Sequence, residues 1–491
     1  MSDPTRLFGT DGIRAPFGRP PLDEPTVTAL GLRLAEHLTA EGGGPPQVVL
    51  GGDTRASTPT LCTWLARGLV AGGAGVRHAG VLPTAGVAWL VRALGAATGV
   101  VVSASHNPHP DNGIKLLDAD GFKWPRAREA ALEERLRRPV ERPVGPGGDG
   151  RRAQPGDEPP GPPEAGLIGR YLDHLAESVP AGPDELPLAG LRIALDAGNG
   201  AASPMAGPLF DRLGAETLVL HAEPDGTNVN LGCGSTDPGD LARAVTGGGY
   251  HLGAAFDGDA DRVILIDRNG HPRDGDAILY LWATELAAAG RLTPRAVVAT
   301  SMSNLGLERA LARHGIHLVR CGVGDREVVE SMRQRGVVLG GEQSGHIVHL
   351  ESTTTGDGLL TALHVAALAA REVRDHDGEP PLDPLDRLLS GFRRYPQVLL
   401  GVRVAEKPDL RSLPAVDRAV REVEDLLGDE GRLVLRYSGT EPLARVMIEG
   451  RDQEEIEALA RRIARTIEEA IGAEPSPAVA SNGDRNEEAR P

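Results

Sequence analysis

The sequence predicts an α/β protein: three related α/β domains with mixed, largely parallel sheets, then a smaller C-terminal α+β domain. Three observations predict it. An apolar run, a small-residue loop, a helical stretch closed by glycine and a second apolar run recur along the chain, and each such unit reads as βαβ. At 491 residues the chain is too long for one core, and a prior of about 150 residues per domain gives roughly three or four domains. Near the C-terminus the pattern changes to short alternating stretches.

The units run in order. Val48–Asp53 leads through a helical stretch to Gly75–His78, Ile193–Gly198 through Met205–Leu213 to Gly214–Val219, and Val297–Ser301 through Leu305–Arg313 to Gly315–Val319. Their spacing is too irregular for a solenoid. Residues 139–163 are rich in Pro and Gly with almost no apolar side chains, as expected of an extended linker. A second break at Asp375–Pro384 precedes the last unit. There Val398–Val404 and Arg432–Leu435 alternate like strands, Val446–Ile448 is a third, and Glu454–Ile471 has helical amphipathicity. Residues 473–491 lack periodicity and read as a disordered tail. The expected domains are therefore 1–138, 164–266, 267–384 and 385–472.

Composition narrows the function. Apolar residues at 40% and charged residues at 25% are globular values, while aromatics at 3% leave Ala, Val and Leu to fill the cores. A net charge of −17 argues against a broad nucleic-acid surface but allows a local basic pocket. Three scattered cysteines (Cys62, Cys233, Cys321), with no CxxC pair, suggest neither a disulfide framework nor a zinc site. The N-terminal residues lack the pattern of a secretory signal, and no apolar run nears the roughly 20 residues of a membrane span. A soluble cytoplasmic protein without membrane or nucleic-acid partners is expected.

Four motifs carry chemistry. Ser103-Ala-Ser105-His106-Asn107-Pro108 follows the apolar run Gly99–Val102, so a hydroxyl stands where a strand ends. Serine is a weak nucleophile without a base, cation or pre-installed phosphate. The residues alone do not choose between Ser103 and Ser105, and a plain Ser/Asn turn would look similar. Asp257, Asp259 and Asp261 lie between two strand-like runs. At about 4 Å and an effective dielectric near 20, each carboxylate pair repels by about 4 kcal/mol, which calls for a cation. All-oxygen ligands point to Mg²⁺. An EF-hand is excluded because Arg262 and Arg268 occupy its Gly and Glu positions; a solvated acidic turn is the bland alternative.

Arg436-Tyr437-Ser438-Gly439-Thr440-Glu441-Pro442 offers backbone N–H groups, two hydroxyls and a guanidinium, a phosphate nest to which Arg445 adds a second fork. Gly341–His346 presents Glu342 and Ser344 to sugar hydroxyls. His346 and His349, three apart on a strand, face opposite ways and do not suggest a metal pair. Arg14 closes Phe8–Arg14, where a surface salt bridge is the plain reading. Lys115 is one of three lysines against 49 arginines, which suggests a need for lysine's ability to release a proton.

Together with Gly322–Arg326 and Thr353–Gly358, these motifs resemble the α-D-phosphohexomutase superfamily, and within it the bacterial phosphoglucosamine mutases. The resemblance spans residues 6 to about 470 in family order. The Phe8–Arg14, Gly322–Arg326 and Thr353–Gly358 motifs favour that family over phosphomannomutase/phosphoglucomutase. It implies four domains around a central cleft and an isomerase. Ser105 would be the phosphoserine, with one Mg²⁺ per subunit on Asp257, Asp259, Asp261 and the Ser105 phosphate. Gly324, Asp325, Arg326, Glu342, Ser344 and His346 would grip the sugar. Arg436, Ser438, Gly439, Thr440 and Arg445 would hold its idle phosphate, and Arg14, His106 and Lys115 would attend the reacting groups.

The implied reaction interconverts glucosamine 6-phosphate and glucosamine 1-phosphate through a sugar 1,6-bisphosphate, which is also the activator. Its product feeds UDP-N-acetylglucosamine and cell-wall precursor synthesis, and a homodimer is compatible. Two departures from the family stand out: Ala260 replaces a usual Gly, and Tyr437 fills a variable position. The competing readings are a mannose or glucose phosphomutase, an aspartyl phosphatase built on Asp257–Asp261, and a non-catalytic sugar-phosphate sensor.

Overall fold

The computed structural model describes residues 7–9, 11–42, 44–138, 161–179, 186–376, 383–438 and 442–471. The expected tail, and all of the expected linker except Gly161–Pro163, lie outside these residues. The chain forms two compact units. Among the described residues, the smaller comprises Ser301–Gly315 and those from Gly391 to Ile471; the larger holds those from Leu7 to Thr300 and from Ile316 to Ser390.

The larger unit contains three sheets of one topology. The first is built from β1 (Ile13–Pro16), β2 (Gln47–Gly52), β3 (Gly75–Val81), β4 (Thr98–Val102) and β5 (Asp111–Asp118), in the order β1-β5-β4-β2-β3. The second contains β6 (Arg192–Asp196), β7 (Glu216–Leu220), β8 (Leu252–Phe256), β9 (Val263–Asp267) and β10 (Pro272–Arg273), in the order β10-β9-β8-β6-β7. The third has β11 (Ala296–Thr300), β12 (His317–Cys321), β13 (Leu339–Gly341) and β14 (Ile347–His349), in the order β12-β11-β13-β14. In each, a central strand lies between two parallel neighbours, and the second of these turns back into an antiparallel strand.

This topology positions the motifs. The turn from β4 to β5 carries Ser103–Pro108, that from β8 to β9 carries Asp257–Arg262, and that from β13 to β14 carries Glu342–His346. These are equivalent turns of three related sheets. Each follows a short buried strand, so backbone pairing fixes where its first residue starts.

Small residues pack the interiors, as the low aromatic content requires. Val48, Leu50, Val100 and Val102 of the first sheet pack with Leu30, Leu34, Leu61 and Leu65. The last four lie on helices Glu24–Gly42 and Thr58–Ala71. Those helices touch through glycine: a Cβ on Gly68 would sit 2.0 Å from the Thr28 carbonyl oxygen, and one on Gly31 2.3 Å from that of Leu65. No side chain fits there.

The smaller unit has an antiparallel sheet of β15 (Gln397–Arg403), β16 (Arg432–Tyr437) and β17 (Leu443–Glu449), in the order β15-β17-β16. Val446 and Ile448 of β17 pack with Ile456, Ile463 and Ile467 of helix Gln453–Ile471. Among the described residues, no helix is long and apolar enough to cross a membrane.

Candidate active site

The two serines separate by what they touch. The Ser103 hydroxyl donates to Asp53 Oδ2 at 2.7 Å and accepts from the Ser105 N–H at 2.9 Å, so it is spent inside the turn. The Ser105 hydroxyl donates to Asp257 Oδ2 at 2.6 Å and lies 3.4 Å from His106 Nδ1. Ser105 has φ of 50°, a left-handed conformation that costs a non-glycine residue about 1–3 kcal/mol. The surrounding structure holds it there. Arg55 donates to the carbonyls of Ser105 (3.0 Å), Asn107 (2.8 Å) and Pro108 (2.7 Å), and Asn230 donates to that of Ser105 at 2.9 Å.

Asp257, Asp259 and Asp261 are buried, and one oxygen of each lies within 4.8 Å of the others. Asp259 Oδ2 accepts from Lys115 Nζ at 2.9 Å and from Thr84 Oγ1 at 2.5 Å. The Oδ1 atoms of Asp259 and Asp261 are buried without a hydrogen-bond partner. Burial, then the neighbouring Asp261 and Asp259, pushes Asp257 well above the usual carboxylate range. Asp259 is also buried, but Lys115 holds it below that range. Orphaned carboxylate oxygens and mutual repulsion are what a hard divalent cation relieves, so these residues fit one. Ala260 has φ of 52°; the turn requires a left-handed residue there, which explains why glycine would suit the position.

A chain of charges runs from this cluster. Lys115 Nζ lies 2.9 Å from Asp259, 3.1 Å from Asp11 and 3.7 Å from Asp261. Burial opposes its charge, but the three carboxylates outweigh it and raise its pKa. These carboxylates favour the ammonium form of Lys115, the opposite direction from a ready proton donor. Asp11 also pairs with Arg14 at 2.5 Å and with Lys123, which in turn pairs with Asp325. Arg14 Nη1 is buried without a partner. Burial, with Arg262 next, lowers His106 to about 4, so its ring is neutral near pH 7.

On the third turn, Glu342 Oε1 accepts from the Gly324 N–H at 3.1 Å, and the Ser344 hydroxyl is buried without a partner. His346 Nε2 accepts from the Gly356 N–H at 3.1 Å and lies 4.0 Å from both Asp261 and Asp325. The sequence places Arg326 among the sugar contacts, but both its terminal nitrogens go to Glu129, at 2.8 and 3.2 Å. Its guanidinium joins helix Arg126–Leu136 to helix Asp325–Arg335. His346 and His349 do face different surroundings, since His349 packs on Trp282.

In the smaller unit, Arg436 and Arg445 stand directly opposite each other on β16 and β17. Burial, then Arg445, lowers the Arg436 pKa. Ser438 is buried, and its carbonyl accepts from Lys407 Nζ at 2.8 Å. Gly439 and Thr440 lie outside the described residues.

Sequence reasoning missed Asp11, Asp53, Arg55, Thr84, Asn230 and Lys123. Asp11 sits within Phe8–Arg14, and Asp53 and Arg55 directly follow the first strand of the first βαβ unit. Those positions were the available signal. Thr84 and Asn230 had none.

Four domain models described as phosphoglucomutase/phosphomannomutase match the chain: domain I over residues 5–142, domain II over 169–270, domain III over 274–380 and the C-terminal domain over 399–466. A phosphoglucosamine mutase from Solibacter usitatus is 44% identical over 95% of this chain and 99% of its own length. One from Azoarcus sp. is also 44% identical, with the same coverage. Among solved structures, a phosphoglucomutase/phosphomannomutase family protein from Burkholderia thailandensis has a TM-score of 0.76 at 23% identity, covering 96% of this chain and 99% of that one. An Aspergillus fumigatus N-acetylphosphoglucosamine mutase, solved with GlcNAc-6P and magnesium, has a TM-score of 0.63 at 19% identity, covering 95% of this chain and 96% of its own. With relatives this similar along nearly all of its length, the chain belongs to the phosphoglucosamine mutase family, within the phosphoglucomutase/phosphomannomutase superfamily.

Proposed function

We propose that this protein is an isomerase that interconverts glucosamine 6-phosphate and glucosamine 1-phosphate, with Ser105 carrying the travelling phosphoryl group. One observation carries the reading: the Ser105 hydroxyl, held in a strained turn, meets Asp257 at 2.6 Å beside carboxylate oxygens that have no partner. The relatives at 41–44% identity support the amino sugar over mannose or glucose phosphates, since all eight bear the name phosphoglucosamine mutase.

In the first half-reaction the C1 hydroxyl of glucosamine 6-phosphate attacks the phosphorus on Ser105. A new O–P bond forms at C1, the Ser105 O–P bond breaks, and the bisphosphate results. In the second, Ser105 oxygen attacks the C6 phosphorus and the C6 oxygen leaves, so the phosphoserine is restored. The proton lost at C1 is balanced by the one gained at C6. Asp257, Asp259 and Asp261 would hold a divalent cation, which would neutralise charge on the transferring group.

The chain's own residues do the rest. Arg14 and Lys115 bring positive charge to the phosphoryl group, with Asp11 orienting both. His106, neutral near pH 7, is the group of the three suited to taking and returning a proton. Glu342, Ser344 and His346 bind the sugar, together with the Gly324–Asp325 backbone. Arg436, Ser438, Gly439, Thr440 and Arg445 take the idle phosphate. Arg326 acts here as a strut.

A coupled assay on the three 6-phosphates of glucosamine, glucose and mannose tests the reading. Glucosamine 6-phosphate should be preferred, chelation should abolish turnover, and Mg²⁺ should restore it. Inorganic phosphate released by a Ser105→Ala variant would instead favour an aspartyl phosphatase.

A further inference from the structure

A second group of metal-ligating side chains lies in the second sheet, outside the site described above. Asp196 ends β6, His221 directly follows β7, and Cys233 comes twelve residues later by number. All three sit at the carboxyl ends of neighbouring parallel strands, or on the loop leaving them, where α/β sheets bind ligands. One ligand atom of each lies within 4.8 Å of the others. Asp196 Oδ2 is 3.1 Å from His221 Nδ1, yet Nδ1 is buried without a hydrogen-bond partner.

The surroundings suit a ligand set. Asp196 is locked by the N–H groups of Gly198 and Gly234, both at 2.9 Å, one on each oxygen. Each oxygen keeps a lone pair. On the far side of the imidazole, His221 Nε2 lies 3.4 Å from Asp240, as in the carboxylate–histidine pairs that orient a metal-bound ring. Asp196 and Cys233 are fully buried, while the His221 side chain is 26% exposed, which leaves a way in from solvent.

We propose that Asp196, His221 and Cys233 form a second metal site, for Zn²⁺ or a similar thiolate-binding divalent cation, completed by water. A carboxylate, an imidazole and a thiolate select such a cation over Mg²⁺, which takes oxygen ligands. Binding displaces the thiol proton of Cys233. The absence of a CxxC pair pointed away from zinc; the fold assembles the trio from distant positions instead. The segment between His221 and Cys233 carries Asn230, which holds the carbonyls of Ser105 at 2.9 Å and Asn107 at 3.2 Å. A metal there would brace the turn that presents Ser105.

The test is a Co²⁺ titration of the full-length protein, stripped of metal and supplied with excess Mg²⁺. One equivalent should bind with a thiolate-to-cobalt charge-transfer band, and Zn²⁺ should displace it. Cys233→Ser should abolish the band, and His221→Gln should weaken binding at least about tenfold. Asp240→Asn should weaken it about tenfold. Cys321→Ser and Asp257→Asn should leave the band intact, which separates this site from the other thiols and from the acidic turn. No thiolate band, or a band that survives in Cys233→Ser, would overturn the proposal. The readout does not depend on mutase activity.

Discussion

Ser103 and Ser105 carry the same functional group two residues apart, yet only one faces the carboxylate cluster. Asp53 and the Ser105 N–H consume the Ser103 hydroxyl, whereas Ser105 reaches Asp257. Ser105→Ala should therefore lower kcat at least about a thousandfold, as removal of a covalent nucleophile does. Ser103→Ala should keep most of the turnover and destabilise the fold by about 1–3 kcal/mol, because buried Asp53 loses a donor; thermal melts and steady-state kinetics on both variants check this. Local residue chemistry could not separate the two, and only the family resemblance pointed to Ser105, since Asp53 lies fifty positions upstream. Arg326 shows the same limit: its Glu129 partner is 197 positions away. Motif spacing reveals residue types, whereas long-range pairing decides which side chain is left available.

At the scale of elements, β16 and β17 place Arg436 against Arg445, and like charges opposite each other cost a sheet about 0.2–1 kcal/mol. An anion bound between them would offset that cost. Arg445→Ala should raise the KM for sugar phosphate about tenfold or more with a smaller change in kcat. A fall in melting temperature with KM unchanged would contradict the assignment. Helices Gly275–Ala288 and Gly358–Asp375 carry a different device. Trp282 of the first packs against His349 at 5.0 Å and His364 of the second at 4.5 Å. Burial lowers His349 to about 4 and His364 to about 3, against an unfolded value of about 6.5. Above pH 6.5 neither state binds these protons. As the pH falls from 6.5 towards 4, the unfolded chain takes them up and the folded chain does not, so stability drops by up to about 1.4 kcal/mol per pH unit for each histidine. His349→Gln should flatten the dependence of melting temperature on pH over that window; an unchanged slope would refute it.

For the molecule as a whole, the recurring βαβ pattern was legible because buried runs, glycine stops and small-residue loops mark strands and helices directly. The short C-terminal strands were legible too: Val398–Val404 appears as Gln397–Arg403 and Arg432–Leu435 as Arg432–Tyr437. The equivalence of the three motif-bearing turns was hidden, because it resides in strand order rather than in local pattern. So was the clustering of Leu305–Arg313 with the smaller unit, since its helical period says nothing about where it packs. The serine motif and the acidic trio, which the fold brings together, stood out in the sequence because their chemistry is concentrated in a few adjacent residues. Asp11, Arg55 and Lys123, which hold those groups in place, are ordinary charged residues until the fold gathers them.

The proposed relay of the phosphoryl group by the hydroxyl at position 105 can be followed by mass. Full-length protein incubated with glucose 1,6-bisphosphate and Mg²⁺, then digested and mapped, should carry one phosphate on Ser105 and none on Ser103. A chase with glucosamine 6-phosphate should keep the label turning over between protein and sugar. Phosphate on an aspartate, or isomer interconversion that persists in Ser105→Ala, would contradict the account.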